Sequence, residues 1–221
     1  MNRFYLMLGV LTLALGAMLV YLLRSNPPAP RAATQAPATV VDDGFRGNTF
    51  GSDSARVEIV EYVDFECPIC ASFAVVQMPT IKEQLIATGR VRWRFRDFPL
   101  SIHKYSRYAA HAAQCAGEQG KFLEMQDQLF YNHSWALTGK NPTGLFRDLA
   151  KAAGADVARY DACMASGRFA SRIEFSVQEG LQRNVNGTPT FFVNGTELRS
   201  SRLPTSDDFK RLVDSLPARR K

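Results

Sequence analysis

Two cysteines separated by two residues, Cys67-Pro68-Ile69-Cys70, are the part of this 221-residue chain whose types and spacing most directly imply chemistry. Such a pair either shares a metal ion or passes electrons as a dithiol and disulfide. The flanks bear on the choice. Residues 56–63 are rich in β-formers (Val57, Ile59, Val60, Tyr62, Val63), and residues 71–88 read as helix. A cysteine at a strand-to-helix junction meets the first unpaired backbone N–H groups of the helix and the positive end of its dipole. That setting favours the thiolate, which is the species that attacks disulfides. A structural zinc site needs four ligands, commonly two cysteine pairs or one pair with two histidines. Cys115 and Cys163 stand alone, and His103, His111 and His133 show no ligand spacing. The residues therefore point to thiol–disulfide exchange, with no metal and no cofactor expected.

Composition bounds the rest. The chain is 46% hydrophobic and 22% charged, which suits one globular domain with appendages. Net charge is +6, from 27 basic and 21 acidic side chains. The basic residues are spread along the chain. Arg90, Arg92, Arg94 and Arg96 alternate with Val91, Trp93 and Phe95, the pattern of a strand with one solvated face. No nucleic-acid partner is expected from this distribution.

Residues 4–23 carry no charge. At about 1.5 Å per residue such a helix crosses a hydrocarbon core of about 30 Å. Residues 1–24 are read as a signal anchor or a signal peptide, and either would export the remainder of the chain. Orientation is taken from the chemistry, since a disulfide catalyst is most useful outside the reducing cytosol. Residues 25–47 are rich in Pro and Ala and read as a tether whose ends would lie roughly 25–30 Å apart.

The element order expected beyond the tether begins with a short arm near Thr49-Phe50 and a strand at 56–63. A helix comes after the cysteines, bent at Pro79 and ended by Gly89, and then a strand at 90–98. Helices fill the region to Arg183. Residues 190–193, the Asn194-Gly195 turn and residues 196–198 make a hairpin, and Thr205 or Ser206 caps a last helix reaching Leu216.

A β-α-β half, a helical insert, a hairpin and a terminal helix describe an α/β thioredoxin fold with material spliced into its middle. The chain resembles the DsbA-like thiol:disulfide oxidoreductases, in particular the BdbD-like extracytoplasmic branch. The resemblance is carried by residues 63–70 (VDFECPIC), 95–100 (FRDFPL), 115–122 (CAGEQGKF) and 187–195 (GTPTFFVNG), and spans roughly residues 45–217. It implies a thioredoxin-fold domain from residues 48–104 and 184–217, with an inserted helical domain at 105–183.

Roles come from motif and resemblance together. Cys67, at the mouth of the helix, is the expected nucleophile, and Cys70, one turn in, the resolving thiol. Pro68 stiffens the turn. Ile69 cannot donate to sulfur, where the most oxidising relatives carry histidine, so a less depressed thiol pKa and a less oxidising couple are expected. Glu61, six residues before Cys67, matches the buried acid of the superfamily and would move the proton of Cys70. Thr188-Pro189 matches the loop that faces the cysteines, with a cis bond before the proline and the Thr188 backbone open to an extended substrate. Phe65, Pro68, Ile69, Thr188 and Pro189 are the expected substrate contacts. Cys115 and Cys163 are expected to form a structural disulfide. His103 is read as a surface residue.

The resemblance implies exported proteins as substrates and a membrane redox partner, either a DsbB- or VKOR-like reoxidant or an electron-carrying reductase. Introducing disulfides is the leading reading. An anchored reductase of the same fold and a non-catalytic chaperone for thiol-containing clients are the alternatives.

Overall fold

In the computed structural model the described residues are 5, 12–13, 15–18, 21, 40 and 42–216. The chain divides into two compact units, residues 1–36 and 37–221. In the first unit the described residues are helical, and Tyr5, Leu13, Leu15, Met18 and Tyr21 are exposed. Most of the expected signal segment, and nearly all of the tether up to residue 41, lie outside the described residues. Among the described residues no helix is long and apolar enough to cross a membrane.

The second unit is built on a five-stranded sheet in the order β1-β3-β2-β4-β5. β2 (Val57–Val63) and β3 (Val91–Asp97) pair in parallel, with Ile59 opposite Trp93 and Glu61 opposite Phe95. The crossover between them holds α1 (Pro68–Val76) and α2 (Met78–Ile81). It then tightens into a π-helical turn at Lys82–Ile86. The single bent helix expected at 71–88 is thus three segments. α1 starts three residues earlier and stops at Gln77, two residues before Pro79, which cannot continue the hydrogen-bond ladder. Gly89, at φ +72°, closes the crossover.

β1 (Asn48–Phe50) lies antiparallel to β3. On the other side β4 (Thr190–Val193) runs antiparallel to β2 and sets Phe191 against Glu61. β5 (Thr196–Glu197) comes after a turn in which Asn194 and Gly195 both have positive φ, as a tight two-residue hairpin requires.

Between β3 and β4 come α3 (Ser106–Gly117), α4 (Phe122–Tyr131), a 3-10 turn at His133–Leu137, α5 (Thr143–Ala152), α6 (Val157–Ser166) and α7 (Ala170–Gln182). The chain ends in α8 (Ser206–Ser215), started by a capping box between Thr205 and Asp208. One hydrophobic core joins a sheet face to α1, α8 and much of the helical region. Its centre is Phe73, Trp93, Phe191 and Phe209, with ring centroids 4.8–6.2 Å apart.

A smaller core on the opposite face packs Val60, Tyr62 and Phe192 against Phe98, Val177 and Val185. Gly180 lets α7 approach there. A Cβ at this position would sit 2.6 Å from Phe98 and 3.0 Å from Tyr62. This cover departs from the expected solvated arginine face. Arg92 and Arg94 both reach Glu58 near the surface, but Arg96 is 2% exposed, pairs with Glu179 of α7 and donates to the Phe45 carbonyl at 3.2 Å.

Cys115 on α3 and Cys163 on α6 are joined by a disulfide spanning 48 residues. Closing a loop of that length stabilises a fold by about 4 kcal/mol in the chain-entropy account. A Cys115→Ser/Cys163→Ser chain is expected to lose stability of that order in urea unfolding, and an unchanged midpoint would contradict the assignment.

Candidate active site

Cys67 is the N-cap of α1. Its backbone is extended (φ −75°, ψ 121°), while its carbonyl already accepts from Ala71 N–H at 3.0 Å. Pro68 occupies the first helical position, where the missing N–H costs nothing. A cap residue normally offers a side-chain oxygen to the next free amides. Here the cap side chain is a thiol that makes no capping hydrogen bond, and a thiolate would fill the acceptor role better.

The electrostatics stem from this position. Donation from the Cys70 thiol is the largest influence on Cys67, burial opposes it, and Thr188 and the backbone amides of Cys70 and Ile69 add to it. Together they bring the Cys67 pKa down to about 5. Cys70 goes the other way. Complete burial pushes it well above its ordinary value, and its neighbour's sulfur adds to the rise. Both cysteines are free thiols, so the site is in its dithiol form.

Thr188-Pro189, joined by a cis peptide bond, closes over the sulfurs, and the Cys67 Sγ–H donates to the Thr188 carbonyl at 3.4 Å. Cys67 is therefore less open than its place at the helix mouth implies, at 5% exposure, with Cys70 at 0%. Pro68 and Ile69 are exposed. A cleft of about 470 Å³ runs beside them, between Ile69, Thr188-Pro189 and the 198–204 segment after β5.

Glu61 lies on the face of β2 that carries Ile59 and is 2% exposed. Trp93 Nε1 donates to its Oε2 at 2.9 Å. Burial lifts its pKa from 4.5 to about 8, and the Trp93 bond only partly opposes the rise. Glu61 therefore holds a proton at neutral pH.

Two expectations are corrected. Phe65 does not line the groove. It is 1% exposed, and its ring packs 5.2 Å from Phe130 and 6.5 Å from Phe122, because the chain turns inward between Asp64 and Glu66. His103 is not a free surface residue. Its Nδ1 lies 2.7 Å from Oδ2 of Asp64, a carboxylate with no exposed side-chain surface. Asp64, His103 and Ser106 were missed as a group because their contacts join residues 39 and 42 apart.

Among the described residues the one group of three potential metal-ligand side chains is His111, Cys115 and Cys163, and its sulfurs are spent in the disulfide.

A family profile described as thioredoxin matches residues 46–215. The chain is 37% identical over 200 residues to a protein of Salinispora tropica named Na(+)/H(+) antiporter NhaA 3, covering 85% of this chain but 29% of that protein. The chain thus spans about three-tenths of such a relative. It is 27% identical to the probable disulfide bond formation protein D of Bacillus cereus, covering 75% and 76% of the two chains. Oxidised BdbD from Bacillus subtilis superposes with a TM-score of 0.67 at 26% identity, over 75% of this chain and 90% of the other.

The site makes two measurements decisive. Alkylation of the reduced chain should modify Cys67 with a midpoint near pH 5 and leave Cys70 silent to pH 8; equal labelling of both would contradict the assignment. For Glu61, the native state keeps a proton between pH 4.5 and about 8 that the unfolded chain has lost, so stability falls as pH rises through that window. Glu61→Gln should remove the fall and gain roughly 2–4 kcal/mol on the wild type from pH 5 to 8, whereas parallel curves would contradict it. Cap, buried second thiol, facing proline loop and these relatives lead to one placement: the chain belongs to the thioredoxin family, in its DsbA-like thiol:disulfide oxidoreductase group.

Proposed function

We propose that this chain is an extracytoplasmic thiol:disulfide oxidoreductase that introduces disulfides into exported proteins through Cys67 and Cys70. The observation that carries the reading is the asymmetry of the pair: a thiol lowered to about 5 at the helix start, against a fully buried partner pushed far the other way. A sulfur with a low pKa is a good leaving group, so a mixed disulfide at Cys67 releases its substrate toward oxidation.

Electrons and protons balance in the cycle. A substrate thiolate attacks Sγ of Cys67 in the Cys67–Cys70 disulfide, forming a mixed disulfide and expelling Cys70 as thiolate. That thiolate takes a proton, for which Glu61 is the buried source. A second substrate thiolate then attacks the substrate sulfur, closing the substrate disulfide and freeing Cys67 as thiolate. Two electrons remain on the dithiol, the form present in this structure. A membrane partner of the DsbB or VKOR kind would take them on. The exposed Pro68 and Ile69, the Thr188-Pro189 backbone and the cleft beside them supply a shallow seat for an extended segment.

Export is supported by the charge-free segment at 4–23, and disulfide formation by a relative named a probable disulfide bond formation protein. The second reading reverses electron flow, with a reductase feeding the dithiol, and Ile69 favours it to the extent that it weakens oxidising power. Acid trapping and gel shift of Cys67 and Cys70 in growing cells separates the two. A mostly disulfide pool is expected, and a mostly dithiol pool would overturn the oxidising direction.

A further inference from the structure

Asp64 directly follows β2, three residues before Cys67, and four donors converge on its buried carboxylate. Oδ1 accepts from Glu66 N–H at 2.8 Å and from the Ser106 hydroxyl. Oδ2 accepts from Leu100 N–H at 2.8 Å and faces His103 Nδ1 at 2.7 Å. Its main-chain carbonyl accepts from Cys67 N–H at 3.1 Å. One residue thus ties the turn bearing the nucleophile to the loop after β3 and to the first residue of α3. Glu66 makes a parallel tie, taking Tyr105 N–H on Oε2 at 2.6 Å, while Phe65 between the two acids enters the core.

A buried carboxylate is costly unless its lone pairs are filled, and here they are. Its charge does not help the redox chemistry directly. A negative group this close to the motif disfavours a second negative charge on sulfur. What it supplies is geometry. Cys67 holds its charge only while its sulfur stays beside the Cys70 thiol, against Thr188 and near the amides of Cys70 and Ile69 at the helix start.

We propose that Asp64, with His103 and Ser106, is a positioning residue of the redox site: its carboxylate locks the 64–67 turn so that Cys67 Sγ stays in the N-cap position of α1, facing Thr188. This rests on the thiol-exchange reading of Cys67 and Cys70. A simple structural clamp would stabilise the fold without touching the sulfur. A simple charge effect would act on the sulfur in the opposite sense.

The full chain is compared as wild type, Asp64→Asn and Asp64→Ala, by thiolate absorbance against pH and by equilibrium with glutathione. Cys115 and Cys163 are disulfide-bonded and Cys70 titrates far higher, so the absorbance reports Cys67. With Asp64→Ala the Cys67 pKa should rise by about one unit or more, a tenfold loss of thiolate below the midpoint. The glutathione equilibrium should shift about tenfold toward the protein disulfide. Asp64→Asn keeps an acceptor for Glu66 and Ser106, and should fall between the two. A lowered pKa in both variants would mean that charge alone acts, and an unchanged pKa with lost stability would mean a clamp alone; either overturns the proposal. Should Asp64→Ala fail to fold, Ser106→Ala and His103→Ala each remove one donor and must raise the Cys67 pKa by a smaller step, and no rise in either would also overturn it. A wild-type chain with no glutathione-linked disulfide would defeat the exchange reading itself, and this proposal with it.

Discussion

A nearly buried sulfur can carry negative charge only if donors are waiting for it, and that requirement organises this molecule. Few waters reach Cys67 at 5% exposure, so the first amides of α1 and the neighbouring Cys70 thiol do the work of solvent. Pro68 opens the helix at the one position where no amide is missed. The parallel pairing of β2 with β3 requires a crossover, and the crossover supplies the helix whose first turn holds the charge. The antiparallel pairing of β2 with β4 then brings the Thr188-Pro189 segment, at the start of β4, back to the same end of the sheet.

Two buried acids, Glu61 within β2 and Asp64 just past its end, show opposite answers to burial. Glu61 has one donor, Trp93, in an aromatic surround that includes Phe191, and it keeps its proton to about pH 8. Asp64, three residues on, has its lone pairs filled by two backbone amides, a hydroxyl and an imidazole. The first arrangement keeps a proton on a buried carboxyl and weakens the fold as pH rises. The second fixes a turn. Strand alternation puts Glu61 under the sheet with Ile59, while the end of the strand leaves Asp64 among loops.

Much of this is legible in the residues alone. The run of β-formers at 57–63, the alternation at 91–97, the Asn194-Gly195 turn and the Thr205 cap are local signals, and the elements form where those signals lie. What local pattern does not carry is cover by distant chain. Arg96 reads as a solvated residue until α7 lies over it, and Phe65 reads as a rim residue until the turn buries it against Phe122 and Phe130. His103 shows no ligand spacing, since its partner lies 39 residues away. The break at Gln77 is a matter of degree: Pro79 predicts a bend, and the backbone resolves it as a stop and then a π-helical turn.

The central claim is that Cys67 and Cys70 form a reversible, two-electron couple poised by the start of a helix. Equilibrating the purified chain across a range of reduced and oxidised glutathione, then counting free thiols, tests it most directly. A single reversible transition with two-electron slope, lost in Cys67→Ser, is the result predicted, with a potential less oxidising than that of relatives with histidine at the Ile69 position. Two thiols that stay reduced at every ratio, or that release a tightly held metal ion when denatured, would contradict it.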